Sequence, residues 1–365
     1  MNVETEATAD ARRQMAICNA CRYCESYCAV FPAMSMRRDF SLGDITHLAN
    51  LCHGCKGCYH ACQYAPPHAF GVNIPATFAE VRQESYAAYA WPEGAGQFFQ
   101  KNGTLVTAAA VIGATLALLL SVLLVDPAVL TTAQRGAGAF FRVVPHGLMI
   151  TLGFGTFGWA ILAMTMGGIR YWRGTGAGAS APGPYAAAVA AHDIATMRNL
   201  GGGGHGCNDE DDSFSMQKRW FHQALFGGFM LCFAATCVGT IYHYFLGWRS
   251  PHAFLSLPVQ LGFWGGVFMC IGSIGLTRLK IITDPVPVAK KLLGGEFAML
   301  GLLFLIAATG LLLLGLRHTG AMGPLLALHL GLVFSFFLVM PYSKMVHGVY
   351  RGLALLRHAA EKRKG

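Results

Sequence analysis

The chain has 365 residues, of which 54% are hydrophobic and only 12% charged, with a formal net charge of +9. Soluble domains average about 25% charged residues, so an ordinary soluble globular protein is excluded. The lysines and arginines are scattered between long apolar runs rather than gathered into one basic patch, which excludes a nucleic-acid binder as well.

Residues 1–100 are polar and cysteine-rich and read as a first domain. Residues 1–15 contain no apolar h-region, so no cleaved secretory signal is expected. Of the twelve cysteines, eight fall into two tight groups, which points to metal binding in a reducing compartment rather than to disulfides. The first group is Cys18-x2-Cys21-x2-Cys24-x3-Cys28 and the second is Cys52-x2-Cys55-x2-Cys58-x3-Cys62. This is the bacterial ferredoxin run written twice. Three thiolates two residues apart wrap one face of a cubane, and the fourth cysteine ligates the other cluster. One [4Fe–4S] cluster is therefore expected on Cys18, Cys21, Cys24 and Cys62, and the other on Cys52, Cys55, Cys58 and Cys28. Ala29 and Gln63 stand where such runs usually place proline, a residue that shapes the chain and is not a ligand. Zinc also accepts four thiolates, but its sites usually join two distant cysteine pairs. Between the groups, Ser41 and Asp44 predict a capped helix through Leu51. Pro75 predicts the start of another helix, running through Glu84.

From residue 101 the composition changes. Six stretches lack Asp, Glu, Lys and Arg, and each can span a hydrocarbon core of about 30 Å as a helix. The spans are expected near 104–125, 144–168, 222–247, 259–277, 296–316 and 324–346, making 101–365 a transmembrane domain with a long loop at 170–218. The fold class is therefore all-α. With the N-terminus inside, fifteen Lys and Arg lie in the inner segments after the first span and four in the outer loops. The positive-inside rule then puts both termini in the cytoplasm, in a multi-pass protein of the cytoplasmic membrane. The 170–218 loop carries a predicted short helix from Tyr185 to Asn199. It then runs through Gly201–Gly204, His205, Cys207 and an acidic stretch to Asp212. By composition it is either a flexible linker or a segment lying near a redox group.

Histidines within a bilayer are costly and usually functional. His222 and His347 are expected at the cytoplasmic edge, and His243 and His329 toward the outer side. Two pairs at two depths suit two b-type haems, each between two imidazoles. His329 and His347 are 18 residues apart, five whole helical turns, and so share a face if their helix is continuous. Pro341, between them, can kink it. His146 is a further outer candidate. A lone membrane histidine more often bonds across helices.

The duplicated cysteine run, with RNLGGGGHGC (198–207), RWFHQALFGG (219–228) and MPYSKMVHGVY (340–350), resembles the tricarballylate (citrate) utilisation protein B family over nearly the whole chain. The last span also resembles, locally, the haem-bearing last span of the nitrate reductase gamma subunit. The family resemblance implies two [4Fe–4S] clusters and haem, taking electrons from an FAD-dependent tricarballylate dehydrogenase and passing them to the membrane quinone pool. The residues themselves offer no catalytic triad or carboxylate pair for substrate chemistry. Electron transfer is the expected function, with a membrane-bound terminal reductase or a redox-sensing module as the alternatives.

Overall fold

The structure is a computed structural model that describes residues 3–176, 182–202 and 205–362. Among these the only β feature is an isolated bridge between Cys207 and Ser215, and the architecture is all-α.

The N-terminal domain is built on α1 (Glu6–Cys21), α2 (Val30–Ser35), α3 (Leu42–Leu51), α4 (Gly57–His60) and α5 (Ile74–Tyr89). Thr5 and Thr8 cap the start of α1, each hydroxyl accepting the other's backbone N–H. Ser41 and Asp44 do the same for α3, as the sequence implies. These caps satisfy N–H groups that have no partner inside the helix. The five helices meet on Met15, Met34, Ile45, Leu48, Phe78 and Val81. Helix α5 starts at the Asn73 cap beside Pro75. It continues past Glu84 because Tyr86 and Tyr89 prolong its buried face, packing on Tyr350 and Tyr171.

Helix α6 (Asn102–Leu124) follows, then two short helices, α7 (Pro127–Thr131) and α8 (Ala139–Val143), and the long α9 (His146–Gly174). Helix α10 (Pro184–Thr196) lies in the 170–218 loop, ahead of α11 (Gln217–Phe245), α12 (Leu257–Ile282), α13 (Leu293–Leu316), α14 (Met322–Val339) and α15 (His347–Lys362). Six helices are long and apolar enough to cross a membrane: α6, α9, α11, α12, α13 with the turn before it, and α14 with the turn after it. They coincide with the six apolar stretches of the sequence. In the bundle α11 packs along α12, α12 on α13, α13 on α6 and α14, and α14 on α6 and α9.

Small residues let the backbones approach, as membrane packing requires. A Cβ on Gly228 of α11 would lie 2.7 Å from the Gly265 carbonyl oxygen of α12. Its neighbour Gly227 faces open space. Gly228→Leu is expected to cost about 1–3 kcal/mol of overpacking and to lower Tm in detergent, with Gly227→Leu close to the parent. Equal Tm values for the two variants would contradict this packing.

The loops segregate by side. At the end bearing the cysteine domain, Asn73 donates to the Val286 carbonyl, Lys291 pairs with Glu80, and Asp284 N–H bonds the Asp209 carbonyl. At the other end, Gly138 N–H bonds the Ser250 carbonyl and Arg317 bonds that of His252. Helix α15 returns to the cysteine domain and packs on α3 and α10.

One expectation is corrected. His329 and His347 do not share a continuous helix. Helix α14 ends at Val339, two 3-10 turns follow (Met340–Tyr342 and Lys344–Val346), and His347 opens α15. Pro341 lacks the N–H that an α-helix needs at that position. Ser343 is extended between the turns and its hydroxyl accepts the Met345 N–H.

Candidate functional site

The two cysteine runs share one backbone turn. Cys18 and Cys21 end α1, and Cys24 follows in a tight turn. Cys52 ends α3, Cys55 follows, and Cys58 lies in α4. The residue after the second cysteine of each run, Arg22 in one and Lys56 in the other, adopts a left-handed backbone with φ of 58° and 64°. That conformation is uncommon for a residue with a Cβ. Its recurrence at matching positions shows one backbone device used twice to turn successive thiols toward a common centre.

Cys18, Cys21, Cys24 and Cys62 line one cavity of about 290 Å³, with Cys58 on its wall and Tyr23, Tyr59 and Tyr64 around it. The set groups the fourth cysteine of the second run with the first three of the first. Burial pushes the Cys18 thiol up to about 12, with Cys62, Cys24 and Cys21 adding to the shift. Cys24 is likewise pushed up to about 12 by burial and by Cys62. Cys28 feels burial first and then Cys55 and Cys52. Cys58 is raised well above its ordinary value by burial, Cys55, Cys52 and Cys28. Two mutually repelling sets of buried thiols are thus brought together. Such thiols give up their protons only to a strong positive charge, which is what a metal centre supplies. Among the described residues, no three His, Cys, Asp or Glu side chains converge as a single-ion site.

The second set is wrapped more closely than the first. Asn208 N–H bonds the Cys55 carbonyl at 2.9 Å, Lys218 bonds that of Gly54, and Arg82 and Arg351 both bond that of Cys52. Lys56 bonds the Thr283 hydroxyl, and Lys218 is paired with Asp209. Four cations therefore surround these thiols. Cys207 is fully buried against Cys55, Met197 and Leu200. This part of the 170–218 loop is a packed cover for the second cysteine set, not a flexible linker. Gly203 and Gly204 lie outside the described residues. The predicted helix in this loop ends earlier than Asn199, at Thr196, with a 3-10 turn over Arg198–Leu200.

His222 on α11 and His347 at the start of α15 face each other with ring centroids 6.1 Å apart. Two imidazoles bound to one metal through bonds of about 2 Å bring their centroids to about this spacing. Within the pair, His347 Nδ1–H donates to the Lys344 carbonyl, leaving Nε2 as the lone-pair nitrogen. Nδ1 of His222 is buried without a partner. Burial, then Arg351 and His222, hold the His347 imidazole well below its ordinary range and so neutral. These features fit an axial haem ligand pair.

The outer histidines do not pair as the sequence suggests. The ring contacts of His243 are with Phe141, His146 and Tyr244, and its centroid lies 4.3 Å from that of His146. His329 instead meets the Thr309 hydroxyl of α13 at 3.0 Å. The cause is depth. His243 is the third-last residue of α11 and His146 the first of α9, both at the bundle end away from the cysteine domain. His329 is the eighth residue of α14 and lies about 10 Å along its axis. A 4.3 Å separation is too short for a metal between the rings, so the end away from the cysteine domain does not fit a bis-histidine haem in this arrangement.

Sequence reasoning missed His53. It follows Cys52, is half-buried, and its Nδ1–H donates to the Leu51 carbonyl at 2.8 Å. Burial, Arg351, and further Arg82 and His222 hold its imidazole well below the ordinary range. His53 and Arg351 thus occupy the ground between the second cysteine set and the His222–His347 pair. The adjacency of His53 to Cys52 was the available signal. For Arg351 there was none beyond its charge.

A helix bundle of membrane type with a ferredoxin-like cysteine domain at one end is the class this structure defines. The comparisons sharpen it: residues 11–88 match the Citrate utilization protein B Fer4-like domain, and residues 101–365 match Citrate utilization protein B. The chain is 45% identical to the Citrate utilization protein B of Escherichia coli over 366 aligned positions, covering 99% of this chain and 94% of that protein. The chain belongs to the citrate utilization protein B family, and its N-terminal domain is ferredoxin-like. No solved structure matches it.

Proposed function

We propose that this protein takes electrons from a reduced flavoprotein, an FAD-dependent dehydrogenase of the tricarballylate type, and delivers them to membrane quinone. When bound, two [4Fe–4S] clusters and one b-type haem supply the one-electron carriers for this route. Cys18, Cys21, Cys24 and Cys62 hold the first cluster, and Cys28, Cys52, Cys55 and Cys58 the second. His222 and His347 hold the haem. The observation that carries the reading is continuity: Arg351, on the helix that His347 opens, bonds the Cys52 carbonyl of the second cysteine set, and His347 faces His222 at the edge of the membrane bundle. Lys56, Lys218, Arg82 and Arg351 place positive charge around the second set. The first set opens toward the surface, where a flavoprotein can dock. The basic residues of the inner segments orient the cysteine domain and both termini to the cytoplasm of the inner membrane.

The test is composition. Non-haem iron and acid-labile sulfide are expected at about eight each per chain, from two clusters. A pyridine haemochrome assay and a reduced-minus-oxidised spectrum are expected to give one b-type haem. Zinc in place of iron, or no haemochrome, contradicts the proposal.

The charge distribution adds an expected result. Positive charge stabilises the more negative, reduced state of a cluster, so the second cluster has the higher potential and electrons run toward the haem. Lys218→Met is expected to lower the potential of the second cluster in a redox titration followed by spin resonance, leaving the first unchanged. An unmoved second potential contradicts a tuning role for this lysine.

A further inference from the structure

A second cavity, of about 1180 Å³, lies where the cysteine domain meets the first and fifth spans. It is two-faced. Toward the domain it is lined by Gln100, Lys101, Asn102, Lys291, Glu296 and Lys344; along the bundle its walls are apolar, with Ala108, Val111, Ile112 and Phe297. Ala108, Val111 and Ile112 lie on the exposed outer surface of α6, so the cavity opens sideways where lipid would lie. Its lining also touches the proposed haem site directly: the carbonyl of Lys344 holds the ring of His347.

We infer that this cavity binds the quinone headgroup, an inference that rests on the electron-transfer reading above. A quinone is an uncharged ring with two carbonyl acceptors and a long apolar tail. Polar donors on one side and an apolar, laterally open wall on the other match both parts, and the volume takes the ring with the first part of its tail. Charge bookkeeping favours a neutral head over an anionic one, because two of the three lysines here are already engaged. Lys344 pairs with Glu296 at 2.5 Å, and Lys291 with Glu80 at 2.9 Å. Glu296 is also paired with Lys280. The Asn102 amide donates to the Tyr342 carbonyl, tying the start of the first span to the link that precedes His347. The quinone reduction takes two electrons, delivered by the proposed route from the reduced flavin donor, which is thereby oxidised, and two protons from cytoplasmic water at the cavity mouth. The product is the quinol, which leaves sideways into the bilayer.

The experiment uses the full chain, purified with its iron, in lipid nanodiscs. The probes are a heptyl hydroxyquinoline N-oxide, a fluorescent quinone mimic, and decylubiquinone as electron acceptor. Two variants fill the cavity from different walls. Gly294→Phe grows from a lining position where a Cβ meets nothing within 4 Å. Ala108→Trp grows from the lipid-facing side of α6. The parent is expected to quench the probe's fluorescence on binding. Both variants, with unchanged iron content, are expected to bind it roughly tenfold more weakly and to lose decylubiquinone reduction. If the parent reduces decylubiquinone and the iron-replete variants bind the probe as tightly as the parent, the site is elsewhere and only this inference falls. Loss of co-purified anionic phospholipid from the variants, with probe binding intact, makes the cavity a lipid site and overturns it. A parent that neither binds the probe nor reduces quinone sinks the electron-transfer reading itself.

Discussion

Cys62→Ser is expected to abolish the cluster of the first cysteine run, and Cys28→Ser the cluster of the second. Each change removes the fourth thiolate from a cubane held mainly by the other run, so the damage crosses from one run to the other. The geometry makes this specific. Cys62 lines the same cavity as Cys18, Cys21 and Cys24, and the Cys28 thiol is raised, after burial, by Cys55 and Cys52. Non-haem iron is expected to fall from about eight to about four per chain in each variant. The lost spin-resonance component should differ between them. Cys24→Ser should remove the same component as Cys62→Ser. If Cys62→Ser removed the component that Cys52→Ser removes, the crossed assignment would be wrong.

The second large effect concerns the membrane-edge histidines. His222→Ala and His347→Ala are each expected to eliminate the haem, because the two imidazoles together would hold it and either change removes one of them. Their rings are the two that stand at a suitable spacing, and the hydrogen bond of His347 to Lys344 fixes the nitrogen that is free to ligate. His329→Ala is expected to keep full haem. Its ring bonds Thr309 inside the bundle, so its loss costs about 1 kcal/mol of interhelical hydrogen bonding and shows in Tm. Iron bound to the cysteine domain should be unchanged in all three variants. Haem retained in both His222→Ala and His347→Ala, or lost in His329→Ala, would place the ligands elsewhere.

What the sequence disclosed was local or additive. The cysteine runs are fixed spacings within eleven residues each. The six spans are long uniform stretches, and no tertiary contact was needed to find them. The Ser41 cap of α3 is a four-residue signal, Ser41 to Asp44. That Cys62 lies in one cavity with Cys18, Cys21 and Cys24 was legible because the ferredoxin spacing carries that rule with it. What stayed hidden depends on where separate segments meet. The pairing of His243 with His329 failed because span ends were uncertain by a few residues, and at 1.5 Å per residue that is enough to misjudge depth. Pro341 was visible, but that it would end α14 outright and hand His347 to another helix was not. The cation shell of the second cysteine set comes from Lys56, Arg82, Lys218 and Arg351, four segments with no common pattern. The packing of Cys207 against Cys55 was concealed by a glycine-rich composition that also describes a linker.

The most direct measurement of the central claim is a single-turnover experiment. The purified chain in nanodiscs is reduced by a substoichiometric amount of reduced FAD-dependent dehydrogenase and then mixed with decylubiquinone in a stopped-flow spectrophotometer. The cluster and haem absorbances are expected to show reduction by the flavoprotein, then reoxidation on mixing, with one quinol formed per two electrons. Centres that accept electrons from the flavoprotein but stay reduced in the presence of quinone would contradict the account.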